Sequence, residues 1–209
     1  SGGGKENAIP KEAKAVVSVR SCDATTFEQS IKESEAVWMQ EIRATEPHAK
    51  IELEKTDIAA DKVLNSHSTA NVIYALQLSP DGVYKMSQEI KGMVQTSLNL
   101  GTAYLEDDKL VYKYLIRSNT AAGKKLLLER VTTFVKHLSG NVVTMSDYPA
   151  WEYKSDSQLR KICVESFTNV YGHEPEVTSI HAGLECGILA GKMPGVDMIS
   201  FGPTLESVH

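Results

Sequence analysis

Val94, Thr96, Leu98 and Leu100 alternate strictly with Gln95, Ser97 and Asn99, which gives this stretch one dry face and one polar face. A period of two marks a half-buried strand, because successive side chains leave opposite sides of the backbone. Glu106-Asp107-Asp108-Lys109 supplies turn chemistry and Leu110 to Arg117 returns, so residues 94–118 read as an antiparallel hairpin. A hairpin alone buries little, and its cover comes next in the chain. Leu127, Val131, Phe134, Val135 and Leu138 form a helical stripe, with Gly140 expected as the stop residue just past its end.

Upstream, Ala13 to Arg20 is β-branched and apolar enough for a strand entered from Pro10. Thr25 and Glu28 have capping-box spacing, and Phe27, Ile31, Trp38 and Ile42 place apolar residues along one helical face that Pro47 ends. Ile51 to Glu54 reads as a short strand, and Ser68 to Leu78 as an amphipathic helix closed by the turn Ser79-Pro80-Asp81-Gly82. The character changes at Tyr148-Pro149-Ala150-Trp151. Beyond it come a helix (Leu159, Ile162, Cys163, Phe167, Val170, stopped by Gly172), a strand, a loop-helix through His181 to Gly187, and a strand around Met198 to Phe201. The expected fold is thus an α+β domain over residues 1–144, an antiparallel sheet with helices on one face, followed over 145–209 by an incomplete α/β portion.

The chain has 209 residues, 42% of them hydrophobic and 23% charged, so a core of ordinary size is available and the composition is not that of a disordered chain. A net charge of -5 argues against nucleic acid or an anionic membrane as main partner. No apolar run approaches the ~18 residues that span a bilayer, and the Ser1-Gly2-Gly3-Gly4-Lys5 start has no signal-peptide core. The three cysteines, Cys22, Cys163 and Cys186, are widely spaced, which reads as reduced thiols of a cytoplasmic protein rather than a disulfide framework.

Four places could carry chemistry. Gly2-Gly3-Gly4-Lys5 lacks P-loop spacing and precedes a strand, so a flexible turn or cloning residues is the better reading; Asn7 beyond it either donates to a carbonyl or hydrogen-bonds its own turn. Arg117 ends a strand, where a guanidinium either lies solvated at the sheet edge, the better reading of the position alone, or clamps a carboxylate with two parallel hydrogen bonds, and Arg20 ends another strand and is its rival. In the His181 to Gly187 stretch, Gly183 permits close backbone approach to an anion, whereas Cys186 with His181 lacks the third member of a nucleophilic set. His209 follows a Gly-Pro turn and suits a metal, but no HExxH or paired carboxylate frame accompanies it, and His48, His67, His137 and His173 are scattered.

Several motifs, in order along essentially the whole chain, resemble the peptidase D family of aminoacyl-histidine (Xaa-His) dipeptidases, in the di-zinc aminoacylase and carboxypeptidase superfamily. They are Asn7-Ala8-Ile9-Pro10-Lys11-Glu12-Ala13, Gln95 to Gly101, Leu115-Ile116-Arg117-Ser118, Tyr148-Pro149-Ala150-Trp151, His181 to Gly187 and Ser200-Phe201-Gly202-Pro203. The resemblance implies a zinc-bearing catalytic domain interrupted by a dimerising lid, with residues 1–144 the lid less its first elements and 145–209 a truncated return into the catalytic domain. His209 matches a metal ligand. Asn7 and Arg117 match lid residues that hold the substrate's carbonyl and terminal carboxylate, although related branches place that arginine where Arg20 stands. Gly183 and Leu184 match the backbone loop at the carboxylate.

The rest of the metal set would precede Ser1. In the whole enzyme a water between two zincs ~3.5–4 Å apart would be the nucleophile. The implied substrate is an Xaa-His dipeptide and the implied assembly a homodimer or larger. The chain itself is expected to be an inactive fragment that binds no zinc tightly. A reading from another class is a short non-enzymatic dimerisation or binding module built on the lid fold; a reading frame upstream encoding the missing ligands separates the two.

Overall fold

A computed structural model describes residues 1–56, 60, 62–179 and 185–202. Among these the chain is mixed α+β, with five α-helices and one three-stranded antiparallel sheet. It divides into two compact units, one of Ser1–Ala13 with Asn71–His209 and one of Lys14–Ala70.

The first unit is built on the expected hairpin. β2 (Val94–Glu106) and β3 (Lys109–Ser118) pair in antiparallel register, from Thr96 opposite Ser118 to Glu106 opposite Lys109. Asp107 and Asp108 form the two-residue turn with φ of 48° and 60°, the double left-handed conformation that matches strand twist and that Asp tolerates. β1 (Gly82–Met86), which the sequence reading did not anticipate, adds to the other side of β2. Its pairing is irregular, with register shifts at both ends of Lys85, so period-two alternation is weak there.

α3 (Ala121–His137) lies across one face of this sheet. Leu98, Leu127 and Val131 are buried together, with Tyr84, Tyr114, Ile116 and Val135 packed around them. The helix begins at Thr120, whose hydroxyl accepts from the Gly123 amide at 3.2 Å. Its end differs from expectation. Ser139, not Gly140, takes the left-handed position at φ 60°, while the Gly140 amide donates back to the Val135 carbonyl at 2.9 Å and the Ser139 amide to Lys136 at 2.9 Å. This is the six-to-one and five-to-two pairing of a helix stop with serine at the strained position.

α4 (Gln158–Tyr171) ends as expected on Gly172 at φ 76°. Its start is held twice: the Ser157 hydroxyl accepts from the Arg160 amide at 3.0 Å and Asp197 from the Leu159 amide at 2.9 Å. Hydrogen bonds from the Leu159 amide and the Ser157 hydroxyl hold the Asp197 carboxyl below its ordinary 3.8. α5 (Glu185–Lys192) follows, and Pro149 lies against its Gly187 and Gly191.

The second unit carries α1 (Ala24–Ile42), entered through a short 3-10 turn at Ser21–Asp23 rather than a Thr25 capping box. Glu28, the expected box partner, pairs instead with Lys55 at 2.7 Å, and that hydrogen bond and charge lower its pKa. Glu35 accepts from the Ile51 amide at 3.2 Å. Residues 51–55 therefore run back along α1, tied by side chains, and the strand expected at 51–54 does not form. The same holds for 13–20, for residues 174–179 and for 198–201: among the described residues these carry no ladder beyond a single bridge at Ala13. A strand exists only with a hydrogen-bonded neighbour, which apolar composition alone does not provide. α2 (Ser66–Leu78) forms as expected, with the Asn65 side chain accepting from the Ser68 amide at 2.8 Å.

Two outcomes follow from these helix ends. Ser139→Gly relieves the left-handed strain and should raise stability by about 0.5–1 kcal/mol in urea titration; a loss would show that Ser139 is not left-handed. Because the folded Asp197 pKa is depressed, its contribution is full above the ordinary carboxylate value and is lost as pH falls through the lower folded value. Asp197→Asn should therefore flatten the loss of helical circular dichroism below about pH 4, and an unchanged acid limb would contradict the assignment.

Candidate functional site

The alternation that sends Leu98 and Ile116 under α3 sends their neighbours to the opposite face of the sheet. There Ser97 stands opposite Arg117, and Asn99 opposite Leu115. Asn99 and Arg117 are diagonal neighbours on adjacent strands, a relation that spans on the order of 7–8 Å. Arg117 is half-buried on β3, which among the described residues has β2 on one side and no strand on the other.

The Gly-rich start is neither loose nor incidental. Gly2 exchanges hydrogen bonds with Ala103 of β2, at 2.8 and 3.0 Å, and is bridged on its other side to Ala13. Between these anchors the chain makes a turn at Lys5–Ala8, closed by the Ala8 amide on the Lys5 carbonyl at 3.3 Å, with Asn7 in its centre. The turn crosses β2 at Gly101, where the register with β3 shifts. A side chain at Gly101 would collide with the Glu6 backbone, and one at Gly3 with the Gly101 carbonyl. Gly3 also sits at φ 75°. The close approach of the two backbones explains both glycines.

Asn99 completes the attachment. Its Nδ2 donates to the Glu6 carbonyl at 3.1 Å and to the Ala8 carbonyl at 3.0 Å, on either side of Asn7. The sequence reading singled out Asn7 and overlooked Asn99. The available signal was an asparagine in the middle of a strand, where that residue is depleted.

Along the open side of β3 runs a trough of about 1910 Å³ that includes Arg117, Lys124, Tyr148, Trp151 and Glu152. This exceeds the ~300–1,000 Å³ of ordinary small-molecule pockets, so the trough is an open surface rather than a closed site. The 147–152 segment that borders it is tied to α3. Lys124 reaches Asp147 at 2.6 Å and the Tyr148 carbonyl, and Glu152 accepts from the Ala121 amide at 3.1 Å. Tyr112 also lines the trough, and burial pushes its phenol up to about 12.

Arg20 occupies a different setting, in the second unit, where its guanidinium pairs with Asp23 at 2.6 Å and its side chain is 82% exposed. Gly183, Leu184 and His209, with His181, lie outside the described residues. Cys186 is a half-buried free thiol on α5. His48, His67, His137 and His173 are exposed, and among the described residues no three His, Cys, Asp or Glu side chains converge to hold a metal ion. No helix among them is long and apolar enough to cross a membrane. The Arg117 guanidinium, a group of the kind that pairs with carboxylates, belongs to the sheet face where the Asn7 turn is fastened.

No protein-family model matches the chain. Cytosol non-specific dipeptidase from Escherichia coli (strain K12) is 30% identical over 209 residues, which is all of this chain and 43% of that protein. The crystal structure of aminoacylhistidine dipeptidase from Vibrio alginolyticus superposes with a TM-score of 0.88 at 31% identity, covering 97% of this chain and 41% of that one. The chain thus spans under half the length of the relatives it matches, and within that span it is a homologue of the peptidase D dipeptidases, the aminoacylhistidine and cytosol non-specific enzymes.

Proposed function

We propose that this chain is the substrate-recognising part of a zinc dipeptidase that hydrolyses Xaa-His and related dipeptides in the cytoplasm. The observation that carries the reading is the superposition on aminoacylhistidine dipeptidase through 97% of the chain at 31% identity. Residues 1–144 act as the lid, which pairs two copies of the protein, and residues 145–209 as the returning part of the catalytic domain. Asn7 holds the substrate's carbonyl and Arg117 its terminal carboxylate, with the backbone at Gly183 and Leu184 beside that carboxylate. His209 is one ligand of a two-zinc centre whose other ligands belong to the rest of the protein. The zinc ions, when bound, supply the Lewis acidity for peptide hydrolysis; the residues of this chain bind and orient the dipeptide.

Arg117 is chosen over Arg20 for its place on the sheet face that also fastens the Asn7 turn. In the natural full-length protein, Arg117→Ala should lower kcat/KM for an Xaa-His dipeptide by about a hundredfold, mostly through KM, since a charge-assisted pair to a carboxylate is worth about 1.5–3 kcal/mol. A dipeptide amide, which lacks the carboxylate, should lose far less. Arg20→Ala should leave both substrates near their native rates. The reverse pattern, with Arg20→Ala crippling and Arg117→Ala mild, would overturn the assignment. The 209-residue chain alone should give background hydrolysis with or without added zinc.

A further inference from the structure

We propose that Asn99 is a positioning residue for substrate recognition, acting through Asn7; this rests on the reading of Asn7 as the group that meets the substrate's carbonyl. The turn that carries Asn7 has one internal hydrogen bond of its own, from the Ala8 amide to the Lys5 carbonyl, and its exposed residues bury nothing that would fix it. What fixes it is β2. Both hydrogens of the Asn99 amide are used, one on the Glu6 carbonyl at 3.1 Å and one on the Ala8 carbonyl at 3.0 Å, so the carbonyls flanking Asn7 are held from a single point. Because both partners are acceptors, the amide nitrogen must face the turn, and the Asn99 orientation is unambiguous.

Only asparagine satisfies this geometry. Aspartate would set a carboxylate against two carbonyl oxygens. Serine has one hydroxyl hydrogen for two acceptors, and glutamine is one methylene longer than the distances allow. The anchor is rigid, since Leu98 beside it is 2% exposed in the sheet–helix core and Gly101 two residues on is pressed against Glu6. Positioning of this kind governs rate, because a displacement near 1 Å at a reacting group costs as much as ~100-fold. The clamp also links the two recognition residues: Asn99 fastens the Asn7 turn on one side and is the diagonal neighbour of Arg117 on the other.

The test is a double-mutant cycle in the natural full-length protein, with an Xaa-His dipeptide as the probe. Asn99→Ser should lower kcat by about ten- to a hundredfold with KM within about threefold, and should cause no further loss in an Asn7→Ala background. A merely structural role would lower the amount of folded protein and would add to the Asn7→Ala loss; additive losses overturn the proposal. So does a crippling Asn7→Ala beside a silent Asn99→Ser, and in that case the assignment of Asn7 survives. If Asn7→Ala is itself silent, that assignment fails and takes the proposal with it. Should Asn99→Ser fail to fold, Asn99→Asp, equal in size and without donors at neutral pH, gives the same comparison. In the 209-residue chain the backbone amide resonances of Asn7 and Ala8 should move or broaden in either variant while those of Leu98 and Leu127 stay in place; unmoved turn resonances overturn the clamp.

Discussion

The β2–β3 ladder is the constraint on which the first unit depends. Its pairing fixes which side chains of β2 face α3 and which face away, and a slip of one residue would exchange Leu98 for Ser97 in the core. Because the register holds from Thr96 to Leu100, one face becomes the apolar seat of α3 and the other a row of Gln95, Ser97 and Asn99 beside Arg117. The irregularity at Gly101 then bends the strand where the N-terminal loop crosses it. Core, bulge and loop are consequences of one strand's pattern. The residues proposed to meet the substrate inherit their placement from it: Arg117 by register and Asn7 by attachment to Asn99.

On the proposed function, recognition of the dipeptide and metal chemistry fall to different parts of the protein. The described residues offer a guanidinium, backbone and side-chain amides, and an open trough, and they offer no converging set of His, Cys, Asp and Glu. A sheet face is well suited to measuring the distance between two groups of a small substrate, because the pleat spaces its side chains at fixed intervals. The 147–152 segment, fastened to α3 through Lys124 and Glu152 and to α5 through Pro149, ties the sheet–helix layer to the part of the chain that leads toward His209.

The sequence declared some of this and concealed the rest for identifiable reasons. The hairpin, α3 and α4 with Gly172 were legible because each is specified locally, by a period of two, a period of 3.6 or a left-handed glycine. The segments 13–20 and 51–54 looked like strands because β-branched composition suits a pleated surface, yet no ladder partner is present among the described residues and Glu28 and Glu35 hold residues 51–55 along α1. Ser139 took the position expected of Gly140 because the helix runs one residue shorter than its apolar stripe suggests. At the site, Asn7 and Arg117 were visible as residues, but nothing local shows that Gly3 and Gly101 are partners in a backbone contact across almost a hundred residues, or that Asn99 spans the same gap. Long-range contacts of this kind have no sequence period.

The N-terminal loop is locked onto β2 at the Gly101 crossing, which brings the Asn7 turn to the face that carries Arg117. Amide hydrogen exchange, compared between the native 209-residue chain and its Gly101→Ala variant, tests it most directly. In the native chain the amides of Gly2, Gly3 and Ala103, which donate to Ala103, Glu12 and Gly2, should be protected. A methyl group at Gly101 meets the Glu6 backbone and should release the loop, at a cost of about 1–3 kcal/mol; protection at those three amides should then fall while the β2–β3 pairs from Thr96 to Leu100 keep theirs. Equal protection in both proteins, or free exchange at Gly2 and Gly3 in the native chain, would show that the loop is not held at the Gly101 crossing.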